Sequence, residues 1–100
     1  MRIALKKFGT TLTSRQAGSE AFKALQQQLR DISATEKLEI DFAEVLTLSP
    51  SWGDEFITPL RQRFGDRVIL FPSENLSVQA TIRLLEEIRN DPTHWLPRPQ

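Results

Sequence analysis

The 100-residue chain has no cysteine, no tyrosine, one histidine and one methionine. Without cysteine there are no disulfides, no thiolate metal sites and no Cys/His nucleophile pair, a composition that fits a reducing compartment. A single histidine, His94 in a proline-rich stretch, makes a zinc site or a histidine-based triad improbable. The four glycines stand alone at positions 9, 18, 53 and 65, so there is no glycine-rich phosphate loop. No apolar run reaches the roughly 18 residues of a membrane span, and MRIALKKFGT does not read as a signal peptide. Charge is balanced at thirteen basic and thirteen acidic residues. The halves balance too: 7 basic against 6 acidic in residues 1–50, and 6 against 7 in residues 51–100. Neither a nucleic-acid partner nor an anionic membrane is implied. The expectation is a cytoplasmic protein with one domain, residues 1–100, ending in an irregular tail at about 91–100.

The remaining residues are organised by periodicity. RIALKKF at 2–8 reads as a short strand closed by Gly9. Thr13-Ser14-Arg15-Gln16 fits a capping box with Thr13 as cap. Ala17, Ala21, Phe22, Leu25, Leu29 and Ile32 then mark one face of a helix from about 14 to 32. LEIDF at 38–42 alternates as a strand with one buried face, and Val45, Leu46 and Leu48 carry the apolar character onward. Ser49 suits an N-cap and Pro50 the first helical position. Trp52, Phe56, Leu60 and Phe64 place a second helix at about 50–64. Pro59 predicts a kink or early break, because it removes the N–H that would bond the Glu55 carbonyl. RVILF at 67–71 reads as a strand buried on both faces. Ser73 or Asn75 caps a third helix at about 75–90, with apolar Leu76, Val78, Ala80, Ile82, Leu84, Leu85 and Ile88. In the tail, Trp95 and Leu96 are candidates to pin it to the body.

The order β-α-β-α-β-α argues for a small α/β sandwich with a mixed, mostly parallel sheet of three to four strands. A fourth strand would come from residues 45–48 or from another chain. In such sheets ligands meet the carboxyl ends of strands, beside helix N-termini. LTLSPSWGDEF at 46–56 occupies that place.

These pieces resemble a known family. Gly9, Ser14-Arg15, Asp41-Phe42, Ser49, Ser51, Asp54-Glu55 and Asn75, in this order across about residues 9–88, look like a STAS-like domain of unknown function. That family is related to STAS domains, the fold of anti-sigma factor antagonists. The resemblance implies a non-enzymatic regulatory module that docks a protein partner, such as a kinase or ATPase-type regulator. Antagonists usually read Asp-Ser-Ser-Gly here, with the first serine phosphorylated. In this chain Pro50 takes the acceptor position, so either Ser51 substitutes as phosphoacceptor or phosphorylation is not the switch.

The expected partner-binding set is Ser49, Ser51, Trp52, Asp54, Glu55 and Arg15, with no catalytic residue, metal or cofactor assigned. Each has a plainer reading. The serines cap, the acids complement the dipole of the helix's first turn, Trp52 anchors the core, and Arg15 stays on the surface or pairs with Asp54 or Glu55. The functional reading of Asp54 and Glu55, together with Asp41, is that they bind a partner's basic group or a hard metal ion such as Mg²⁺. The alternative function is a small-ligand or nucleotide-responsive domain, with Asp54 or Glu55 as a hydrolytic base. A third is a homodimer formed by edge pairing of the sheet.

Overall fold

The computed structural model describes residues 1–90, so the readings of His94, Trp95 and Leu96 lie outside the described residues. Five short strands and three helices alternate as expected: β1 (Arg2–Ala4), β2 (Thr11–Leu12), α1 (Arg15–Leu29), β3 (Leu38–Asp41), β4 (Thr47–Leu48), α2 (Pro50–Phe64), β5 (Val68–Leu70) and α3 (Leu76–Asn90). β1, β3 and β5 form one sheet in that spatial order, and β2 and β4 form a second. Every pairing is parallel, so the sheet is not mixed.

Three strand readings change. The stretch 2–8 is a strand only to Ala4 and then winds into a 3-10 turn over Leu5–Phe8, which buries Leu5 and leans Phe8 on the core. Residues 47–48 do form the extra strand, but they pair with Thr11 and Leu12 rather than extending the main sheet. Leu48 also fastens α3. Its N–H donates to the Ser77 hydroxyl at 2.9 Å, and its carbonyl accepts from the Ser77 and Thr81 hydroxyls at 3.1 and 2.6 Å. Two side-chain hydroxyls thus satisfy a backbone edge that a two-residue strand leaves open.

The strand order sends both crossovers in one direction, and right-handed crossovers then place α1 and α2 on the same face. On that face Ile3, Leu38, Ile40 and Val68 are buried. The opposite face carries Arg2, Ala4, Glu39, Asp41 and Ile69, none of them buried. β5 is an edge strand: Val68 is buried, but Ile69 and Leu70 are only half-buried. The unbroken run VILF therefore does not mean a strand covered on both sides.

α1 starts one residue later than a Thr13 cap would give. Ser14 is the N-cap, accepting from the Ala17 N–H at 3.0 Å, while Gln16 reaches forward to Glu20. α2 continues through Pro59 to Phe64 without the expected break. Phe56, Ile57 and Leu60 are all buried around that proline. Their burial, about 1.5–3 kcal/mol for each large side chain, outweighs the roughly 3 kcal/mol cost of an internal proline.

α2 lies against both other helices through glycines. A Cβ on Gly18 would stand 2.6 Å from the Trp52 carbonyl oxygen and 3.0 Å from its Cα. A Cβ on Gly53 would meet Leu85 Cδ1 at 3.0 Å and Thr81 Cγ2 at 3.2 Å. The first contact is with backbone, which cannot rotate away; the second is with side-chain tips. Gly18→Ala should therefore lower stability by about 2 kcal/mol despite better helix propensity, whereas Gly53→Ala should cost distinctly less. Urea unfolding of the two variants checks this order.

Candidate functional site

The start of α2 is held by one serine. Ser49 has extended angles (φ −91°, ψ 156°), and its hydroxyl accepts from the Trp52 N–H at 3.2 Å. The same hydroxyl donates to the Thr13 carbonyl at 2.7 Å, and the Ser49 N–H donates to the Leu12 carbonyl at 2.9 Å. Pro50 follows at the first helical position, where a missing N–H costs nothing. Ser49 is thus a structural cap that also ties α2 to the segment leading into α1. Ser51 is half-buried, and among the described residues nothing hydrogen-bonds its hydroxyl.

Trp52 is 1% exposed. Its ring stacks on Phe56 with centroids 4.9 Å apart, and Phe8 leans on both rings at 6.2 and 5.4 Å. Tilted and offset aromatic contacts of this kind add to the area they bury. The expectation of Trp52 as a partner-facing anchor is corrected: its indole is a core piece. The four-residue spacing with Phe56 and Leu60 already placed it on the buried face.

Arg15, Asp54 and Glu55 do come together. The Arg15 guanidinium donates to Asp54 at 3.1 Å and to Glu55 at 2.9 Å, across the rim between α1 and α2. Hydrogen bonding to Glu55, then to Asp54, raises the Arg15 pKa further above its ordinary value. The two acids sit in the second turn of α2 rather than the first, and Thr58 donates to Asp54 at 3.0 Å. Their role is therefore ion pairing, with Arg15 itself 56% exposed.

Asp41 belongs to a different place. On the open face of the sheet it accepts from the Ala43 N–H at 2.9 Å and from Arg2 at 3.0 Å, and the Arg2 guanidinium lies 5.0 Å from the Phe71 ring centre. The Ala43 N–H, then Arg2, hold the Asp41 carboxyl below the usual carboxylate range. Asp41, Asp54 and Glu55 do not converge, and among the described residues no cluster of metal-ligating side chains is present.

A stretch that sequence reasoning treated as ordinary apolar patterning turns out to be exposed. Leu46 is 66% and Leu76 is 78% exposed. Leu46 lies in the loop that leaves the carboxyl end of β3, just ahead of β4, and Leu76 opens α3 beyond the carboxyl end of β5. The Asn75 amide caps α3 by accepting from the Val78 N–H at 3.1 Å, and donates to the carbonyls of Val45 and Leu46 at 3.1 and 3.0 Å. One side chain thus links the loop bearing Leu46 to the helix start bearing Leu76. In the same loop Glu44 holds a positive φ of 67°, unusual outside glycine, and pairs with Lys6. The sequence signal that could have revealed these leucines is their position: both fall on turn-flanking residues outside the regular apolar spacing.

Two outcomes follow. Trp52→Ala should cost about 3–5 kcal/mol and unfold the domain broadly, while Arg15→Ala should leave the unfolding midpoint nearly unchanged; thermal unfolding separates them. Asp41, with a depressed folded pKa, stabilises the fold above its unfolded pKa of about 3.9, and that contribution is lost as pH falls through the lower folded value. Asp41→Asn should therefore be less stable at neutral pH and show a shallower loss of stability below about pH 4 than the parent, measured by urea unfolding across pH.

No family model, curated protein or solved structure matches this chain.

Proposed function

We propose that the chain is a non-enzymatic protein-interaction module, built like a STAS-type domain, that docks a signalling partner through the carboxyl end of its sheet. The observation that carries this reading is the pair of exposed leucines, Leu46 and Leu76, held beside the starts of α2 and α3 by Asn75. Contiguous bared apolar surface marks contact sites, and the Asn75 amide brings the loop of Leu46 and the helix start of Leu76 together. By contrast, the acids that would serve a hydrolase, Asp54 and Glu55, are engaged by Arg15 and line neither of the clefts that Leu70 borders.

The expected contact set is accordingly rearranged. Leu46 and Leu76 supply apolar contact, Arg15 with Asp54 and Glu55 forms a polar rim, and Trp52 and Ser49 act from beneath by holding α2 in place. Ser51 is the phosphoacceptor on this reading. Its phosphorylation would add about two negative charges at a helix N-terminus, which the helix tolerates and a docked apolar partner does not.

The test compares proteins captured by cross-linking to the parent and to a Leu46→Asp/Leu76→Asp variant. Both side chains are exposed, so the variant should keep the parent's unfolding midpoint. At least one partner should fall about tenfold or more in recovery, the effect of losing roughly 1.4 kcal/mol of contact energy. Equal recovery of every partner by a folded variant would remove this surface from the account.

A further inference from the structure

Among the described residues β5 ends the main sheet without a neighbour, and of the candidates to extend the sheet, 45–48, residues 47–48 pair with β2 instead. The Phe71 N–H donates to the Ile40 carbonyl, so Ile69 and Phe71 turn their backbone groups toward β3. Alternation then turns the N–H and C=O of Leu70, and the C=O of Val68, toward the open side. α3, which would ordinarily cover the sheet here, packs chiefly on α2 and β4. Two clefts remain between α3 and the β5 edge, and Leu70 is a wall of both. One, of about 50 Å³, is bounded by Ile57, Arg61, Leu70, Leu85 and Ile88. The other, of about 380 Å³, is bounded by Leu70, Phe71, Pro72, Val78 and Ile82.

An unpaired strand edge flanked by apolar sockets on one side is the arrangement that accepts an added strand. Main-chain hydrogen bonds supply affinity there, and alternate side chains enter the sockets. The charges of the walls indicate what else the added segment carries. Of the arginines on these walls, Arg61 pairs with Glu86 at 2.7 Å, and Arg89 pairs with Glu86 at 3.6 Å and with Asp66 at 3.5 Å, while Arg83 is exposed and meets no acid among the described residues. The Arg61 Nε is buried and, among the described residues, has no hydrogen-bond partner. The accessible cation on these walls is Arg83, and its unpaired guanidinium favours an incoming carboxylate.

We propose that the open edge of β5 takes up, as a fourth strand beside α3, an extended apolar segment bearing a carboxylate from another protein. This surface is separate from the exposed leucines at the carboxyl end and stands or falls independently of them.

The probe is a decapeptide selected by random-peptide display on the full chain, then synthesised. Selected sequences should alternate valine, isoleucine or threonine and contain aspartate or glutamate. The bound peptide should slow hydrogen exchange of the Leu70 amide by about tenfold or more. The same peptide N-methylated at alternate amides should not. Arg83→Glu should weaken binding by about tenfold, equivalent to roughly 1.4 kcal/mol, and, because Arg83 is exposed, should keep the unfolding midpoint. Leu46→Asp/Leu76→Asp should leave binding unchanged. Failure to select any peptide, or selected peptides that leave Leu70 exchange unaltered, overturns the proposal. So does protection of Leu70 without peptide, whether in a dimer detected by light scattering, which assigns the edge to a second copy, or in a monomer that loses it on deletion of residues 91–100, which assigns the edge to the chain itself.

Discussion

Everything in this domain is referred to the contact between Gly18 and the backbone of Trp52. The absence of a Cβ at Gly18 lets α1 lie directly on the first turn of α2, with no side chain between them. That closeness seals Trp52 and Phe56 beneath the helices, where Phe8 completes an aromatic cluster. It also brings Arg15, near the start of α1, within hydrogen-bond distance of Asp54 and Glu55 on α2. Ser49 reinforces the same junction by capping α2 and bonding the Thr13 carbonyl just ahead of α1. One small residue thereby sets the helix layer, and the helix layer decides which polar groups reach the rim.

The second organising feature is the carboxyl end of the sheet. All strands are parallel, so each helix returns to the same end to begin, and the caps Ser14, Ser49 and Asn75 gather there. Capping side chains satisfy the free N–H groups of each first turn and leave little for a ligand to use. Leu46 and Leu76 are exposed there, alongside the ion-paired Arg15.

Much of this was legible in residue order. Ser49-Pro50 marked a helix start correctly because a cap and a preset φ act locally, without help from tertiary contacts. The four-residue recurrence of Trp52, Phe56 and Leu60 placed the buried face of α2, and the pairing of Arg15 with Asp54 or Glu55 was among the readings left open. Other features depend on distant partners and could not be read locally. A two-residue strand such as β2 or β4 is too short to alternate, and β4 owes its shape to Ser77 and Thr81, about thirty residues away. The apolar run at 68–71 looked central because edge and centre differ only in neighbours. Pro59 looked disruptive because propensity ignores the packing around it. Leu46 and Leu76 were counted as apolar pattern, since composition alone does not tell a core leucine from a bare one.

The central claim is that the tryptophan heading α2 supports the fold from inside rather than meeting a partner. A Trp95→Phe chain leaves Trp52 as the sole tryptophan, and its fluorescence can be titrated with iodide. The account predicts blue-shifted emission that iodide scarcely quenches until the protein unfolds. Emission typical of water-exposed indole, freely quenched in the folded protein, would contradict it.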